Sequence, residues 1–224
     1  MWVAVVIVIA GVVAGWFFGL KPHTHVQTQT QPRPPASTAQ RPVVPAVVSA
    51  LKIPEEVPTL SLPDGHGTLR ALRDGTGQPH LYNFWATWCE PCRREIPLLN
   101  TLQHTYRADH LTVVGIAVDF ADAVRDFVKT TPLRYASLIG EEAGLEAAQK
   151  FGMDVGLPFS VFADEHDRII ALKVGELHRE EAEAILAQMR LLKADRITLS
   201  TARATIGATL QELAAKRAKQ SKPV

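Results

Sequence analysis

Only two cysteines occur in the 224-residue chain, and they sit two residues apart in "FWATWCEPCRREIP", Phe84 to Pro97. Such a pair could be half of a metal clip, a haem attachment, a structural disulfide or a working redox couple. A structural zinc site needs about four ligands, usually as two pairs, and no second pair exists while the eight histidines are scattered. Covalent haem attachment needs C-x-x-C-H, but Arg93 follows Cys92. A structural disulfide over so short a loop would stabilise little, because closure entropy grows with loop length. A C-x-x-C at a strand–helix junction is the usual form of a reversible dithiol. With the helix starting near Cys89, that thiol faces unsatisfied N–H groups and the positive end of the helix dipole, which favours thiolate. Cys92, one turn further in, suits a resolving thiol. Pro91 is compatible with the first helical turn because its missing N–H would lack a partner anyway. Glu90, between the cysteines, should oppose thiolate and make the couple more reducing.

The elements that must hold this pair follow from periodicity. "VPTLSLPDGHGTLRAL" predicts a hairpin around its D-G turn. "LYNFWA" and "LTVVGIAV" read as buried strands, and residues 90–106 as a helix with Ile96, Leu99, Leu102 and Tyr106 on one face, kinked at Pro97. Two helices are expected next, the first carrying Val124, Phe127 and Val128, the second Leu145, Ala148 and Phe151. "LPFSVFADEHDRIIALKVG" reads as two strands around a four-residue turn. "HREEAEAILAQMRLL" reads as an amphipathic helix burying Ala182, Ile185, Leu186, Met189 and Leu192. The order is β-hairpin, β, α, β, α, α, ββ, α, an α/β sheet with helices on both faces.

Around this core the composition is segregated. Residues 1–20 are uncharged, long enough for a helix to span a bilayer core of roughly 30 Å, with Trp2 and Trp16 near its ends. A cleaved signal peptide is the rival reading, but no A-x-A-like site stands out. Residues 21–56, rich in Pro, Gln and Thr, read as a semi-extended tether. Residues 57–192 form the folded domain, and residues 193–224 a basic extension that can form a helix with Ile206, Leu210 and Leu213 on one side. Between 59 and 189 there are 12 basic and 19 acidic side chains, whereas 190–224 hold 8 and 2. No nucleic-acid partner is expected, since the basic charge does not lie on the folded domain. Lys21, Arg33 and Arg41 follow the apolar run, so the charge rule by itself would leave the domain in the cytoplasm.

The segment "LYNFWATWCEPCRREIPLL", with "VPTLSLPDGHGTLRAL" before it and "GLPFSVFADEHDRIIALKVGEL" after it, resembles the membrane-anchored TlpA/ResA-type thioredoxin-like proteins, a group that includes CcmG-type cytochrome maturation reductants. The resemblance implies a thioredoxin-like α/β fold with an N-terminal hairpin extension behind a single transmembrane helix. It implies that Cys89 attacks, Cys92 resolves, Glu95 tunes proton transfer, and Pro158, after Leu157, is a cis-proline shaping the client groove. Trp88, Glu90, Pro91 and Leu157 would then line that groove. The alternative for Glu95 is a solvated helix charge, and for Trp85 a plain core role. Asn83 departs from the buried aspartate of ordinary thioredoxins and cannot titrate, so acid–base work falls to Glu95 or water.

The activity so implied is thiol–disulfide exchange without a cofactor beyond the Cys89–Cys92 disulfide itself. Clients would be apocytochrome c or a copper-site protein, and a membrane electron donor of the DsbD/CcdA type would restore the dithiol. The domain would sit outside the cytoplasm at the bacterial inner membrane, in the periplasm or its equivalent. Two rival functions remain: a dithiol oxidant, or a non-catalytic module binding a partner or copper near Pro158. A peroxidase is disfavoured because Ala86 stands where T-x-x-C would place threonine.

Overall fold

Strand β3 (His80–Trp85) is buried at every position, the mark of a central strand covered on both faces. It pairs in parallel with β4 (Thr112–Ala117), which pairs in parallel with β5 (Ala136–Ile139). On its other side β3 meets β6 (Phe159–Ala163) antiparallel, followed by β7 (Ile169–Val174), giving the sheet order β5-β4-β3-β6-β7. A separate hairpin, β1 (Ser61–Pro63) and β2 (Leu69–Ala71), precedes the sheet. These come from a computed structural model that describes residues 53–220 apart from Val155. The expected membrane helix and nearly all of the tether lie outside the described residues, among which no helix is long and apolar enough to cross a membrane.

The period-2 alternation of the strands divides the core between two faces. Tyr82, Phe84, Ile116, Leu138, Phe159 and Val161 form one cluster with the hairpin and with α3 (Glu141–Lys150). Leu81, Val113 and Phe162 point the other way, towards α1 (Glu90–Thr105) and α4 (Arg179–Lys193). On this second face α2 (Ala121–Thr130) places Val124 and Phe127 against Trp85. Gly115 leaves the room that the Trp85 indole uses: a Cβ there would stand 3.0 Å from Trp85 Nε1.

Several expectations need correction. Strand β5 was absent from the expected order; four residues, "ASLI", are too short for a period to register, and only pairing with β4 defines them. Ala148 and Phe151 are buried as expected but Leu145 is exposed; α3 buries Gly144 and Ala147 in its place, because its closest approach to the strands is through small residues: Gly144 lies against Val118. Pro97 lies inside α1, as expected, and its carbonyl accepts from the Thr101 hydroxyl. The chain joins the sheet from Glu55 onward: Val57 N–H donates to Asp167 O (2.9 Å) and Ile169 N–H to Glu55 O (2.8 Å). The basic extension contains α5 (Leu199–Gln220), which packs on α4 and β7 with Ala202 and Ile206 buried and Leu210 partly so.

Candidate active site at the Cys89–Cys92 disulfide

Strand β3 ends at Trp85, and a tight turn through Ala86 delivers Cys89 to the N-cap of α1, where its Sγ accepts from Cys92 N–H at 3.3 Å. Helix α1 begins at Glu90, with Pro91 inside its first turn as the fixed φ of proline favours. Cys89 and Cys92 are joined as a disulfide, Cα–Cα 5.3 Å. Cys92 is fully buried and Cys89 is 5% exposed, so any access from outside is to Cys89. Trp88, beside it, is 70% exposed, whereas Trp85 is fully buried against Phe127 and belongs to the core.

The turn is held from a distance. Asp119, just beyond the end of β4, is buried and uses Oδ2 to accept from both the backbone N–H (2.8 Å) and the hydroxyl (2.7 Å) of Thr87. Its Oδ1 accepts from Phe120 N–H, leaving the Phe120 ring exposed at the same end of the sheet. Neither residue was singled out from sequence. The available signal was position, because sites on α/β sheets gather beyond the carboxyl ends of strands. The Leu157–Pro158 peptide bond is cis, and Leu157 packs against the cluster that contains both cysteines. The Pro158 carbonyl accepts from Gly175 N–H (2.8 Å) in the loop after β7.

Glu95 is one turn beyond Cys92 on the same buried face of α1 and is 1% exposed, which excludes a solvated helix charge. Its Oε1 accepts from Asn83 Nδ2 (2.7 Å) and its Oε2 from Leu177 N–H (2.6 Å). Asn83 Nδ2 also donates to Ser160 Oγ (3.1 Å). Burial pushes the Glu95 carboxyl up to about 7; the bonds from Leu177 and Asn83 and the charge of Lys173 oppose this, and the charge of Glu176 adds to it. Asn83 thus serves as a neutral donor to the group that titrates, and Ser160 and Leu177 complete a contact set that no local sequence pattern marks.

Glu90 is exposed, as a residue of the first helical turn facing solvent should be. Its carboxylate pairs with Arg94 at 3.1 Å, and Arg94 also binds Glu176 at 2.6 Å. The negative charge between the cysteines is therefore partly offset, which weakens the expectation that Glu90 sets a reducing couple. Among the described residues no group of three or more His, Cys, Asp or Glu is placed to hold a metal ion.

A parallel–antiparallel sheet carrying a disulfide-bonded C-x-x-C pair at a helix N-terminus, with Leu157 of a cis Leu157–Pro158 bond packed against its cluster, defines a thioredoxin-like thiol–disulfide oxidoreductase. The family model described as Redoxin matches residues 52–188, and the chain belongs to that family. It is 31% identical over 140 residues to the thiol-disulfide oxidoreductase ResA of Bacillus thuringiensis subsp. konkukian, covering 62% of this chain and 79% of that one. It is 36% identical over 135 residues to the thioredoxin-like protein YneN of Bacillus subtilis, covering 58% and 75%. Among solved structures, a thiol:disulfide interchange protein of the thioredoxin family from Chlorobium tepidum is similar at 26% identity with a TM-score of 0.51, over 63% of this chain and 95% of that one.

Proposed function

We propose that the protein is a reductant of disulfides in extracytoplasmic clients. Reduced Cys89 attacks the client disulfide, forming a mixed disulfide and expelling one client thiolate, which takes up a proton. Glu95 accepts the Cys92 proton, and the Cys92 thiolate attacks Cys89 Sγ, releasing the second client thiol and closing the Cys89–Cys92 disulfide. Two electrons pass to the client, and a membrane donor of the DsbD/CcdA type returns two to the cysteines. The observation that carries this reading is the buried Glu95, whose carboxyl titrates near neutral pH one turn from Cys92. Such a group can take a thiol proton and return it without leaving its physiological range.

Pro158 and Leu157 supply the groove wall, exposed Trp88 its rim, and Pro91 and Glu90 the approach to Cys89. Resemblance to the TlpA/ResA-type proteins supports clients such as apocytochrome c or copper-site proteins. It also supports an N-terminal membrane anchor with the domain in the periplasm or its equivalent, where soluble cytoplasmic thioredoxin does not reach. Alkaline phosphatase fused after Val224 should be active in cells, and an inactive fusion that is stably expressed would put the domain in the cytoplasm.

The pairing of Glu90 with Arg94 favours a second reading, a dithiol oxidant, since it offsets the charge that opposes thiolate. Equilibrating the protein with glutathione or dithiothreitol buffers separates the two. A reduction potential near or below thioredoxin's, about −270 mV, is expected for the reductant. A value near −120 mV, that of a strong oxidant, would reverse the assigned direction.

A further inference from the structure

Glu95 and Pro158 share one support, the loop that follows β7. Gly175 N–H donates to the Pro158 carbonyl and Leu177 N–H to Glu95 Oε2. Lys173, near the end of β7, reaches into that loop: its Nζ donates to the carbonyls of Val174 (2.7 Å), Gly175 (3.4 Å) and Glu176 (3.2 Å). The same ammonium stands 3.7 Å from Glu181 Oε2, a carboxylate with no solvent exposure. Glu181 Oε2 also accepts from His178 N–H (2.9 Å), closing the first turn of α4. A carboxylate so buried requires cationic partners. The second one comes from α5, which turns back along α4 and brings Arg217 onto Glu181 Oε1.

We propose that the C-terminal helix belongs to the support of the active site: Arg217, by pairing with Glu181, positions the loop over residues 175–178 and through it both Glu95 and Pro158. Arg217 is a positioning residue that touches neither cysteine. It lies beyond residue 188, where the Redoxin match ends. Without Arg217, Lys173 alone faces the buried Glu181 and is drawn towards it, away from the three carbonyls it ties together. The loop then slackens and Leu177 N–H leaves Glu95. That bond favours the charged carboxylate, so its loss moves the Glu95 midpoint upward. The charged and titratable groups facing Glu95 are Lys173 and Glu176 from the β7 side and Tyr135 from the segment before β5.

The inference rests on the assignment of Glu95 as the proton acceptor, but its test does not. The full chain, labelled with carboxyl-13C glutamate and held in detergent, is titrated by NMR as parent, Arg217→Met and Arg203→Met. Arg203 is the control because it fastens the other part of α5, donating to the Ile169 carbonyl and pairing with Glu55. The expected result is a Glu95 midpoint above the parent's in Arg217→Met and an unchanged one in Arg203→Met. The dithiothreitol-reduced Arg217→Met chain should also react with glutathione disulfide about threefold more slowly at pH 6, the consequence of roughly half a pKa unit. A folded Arg217→Met protein with the parent's midpoint overturns the proposal, as does an equal shift in Arg203→Met, which would mean general loosening. Should Arg217→Met not fold, Arg217→Gln, which keeps a hydrogen-bonding group and loses the charge, is read by the same criteria. A Glu95→Gln protein as fast as the parent at every pH would remove the catalytic assignment of Glu95 while leaving the midpoint comparison to decide the role of Arg217.

Discussion

Replacing Cys92 by serine is expected to turn the protein into a trap that holds its client as a mixed disulfide through Cys89. Attack by Cys89 needs only the thiol at the head of α1, the more accessible of the two, so the first half of the reaction survives. Release fails because the resolving sulfur is gone and external thiols must substitute for it. An intramolecular thiol acting at an effective molarity of even about 1 M outruns a millimolar external thiol on the order of 10³-fold, and turnover should fall by that much. The Cys89→Ser protein should form no mixed disulfide at all. This asymmetry separates a redox couple from a structural bridge, which would lose about 2 kcal/mol of stability from either substitution alike. Non-reducing electrophoresis of each variant after exposure to a disulfide-containing client reads the result. Adducts of equal yield through either cysteine would reverse or abolish the roles assigned.

The second large effect belongs to Glu95. Client reduction by the parent should rise with pH through about 7 as the buried carboxyl ionises. The Glu95→Gln protein should lack that rise and be slower on the order of 10²-fold at neutral pH, the usual worth of a placed general base. Stability should move the opposite way. In the unfolded chain the carboxyl titrates at its ordinary value of 4.5, and in the fold at about 7. A raised carboxyl means that the folded protein binds the proton more tightly. The stabilisation from holding it neutral is therefore fully present below about pH 4.5 and is lost as pH rises through about 7. The loss amounts to about 3 kcal/mol. Glutamine carries no such charge and can still accept from Leu177 N–H, while the unpartnered Asn83 Oδ1 offers it an acceptor. Denaturant unfolding at pH 5 and pH 8 should show Glu95→Gln gaining on the parent between the two. An equal difference at both pH values would show that Glu95 does not ionise in this window, and its role as proton acceptor would go with it.

The parts of the site visible beforehand are those encoded within a few residues of one another. Cys89, Glu90, Pro91 and Cys92 fall at the strand–helix junction because "LYNFWA" is continuously apolar and the next residues repeat at helical spacing. The strands, α1 and α4 follow from the same local periods, and so did the amphipathic side of α5 at Ile206. Strand β5 did not, since four residues carry no period and the partner that defines them lies about twenty residues earlier. Leu145 failed for a related reason: helical spacing locates a face, but the close approach of Gly144 to Val118 selected the small-residue face over the leucine.

Residue chemistry at short range was enough to make Cys89 and Cys92 a reversible dithiol, because a cysteine at a helix N-terminus and another one turn later are placed by the chain itself. The state of Glu95 was not of that kind. A glutamate in that helix reads equally as a solvated charge until Leu177, 82 residues away, and Asn83, 12 residues back, close over it. Burial and hydrogen bonding both act through space, so the environment that lifts its carboxyl to about 7 exists only once the sheet, α1 and the loop after β7 have come together.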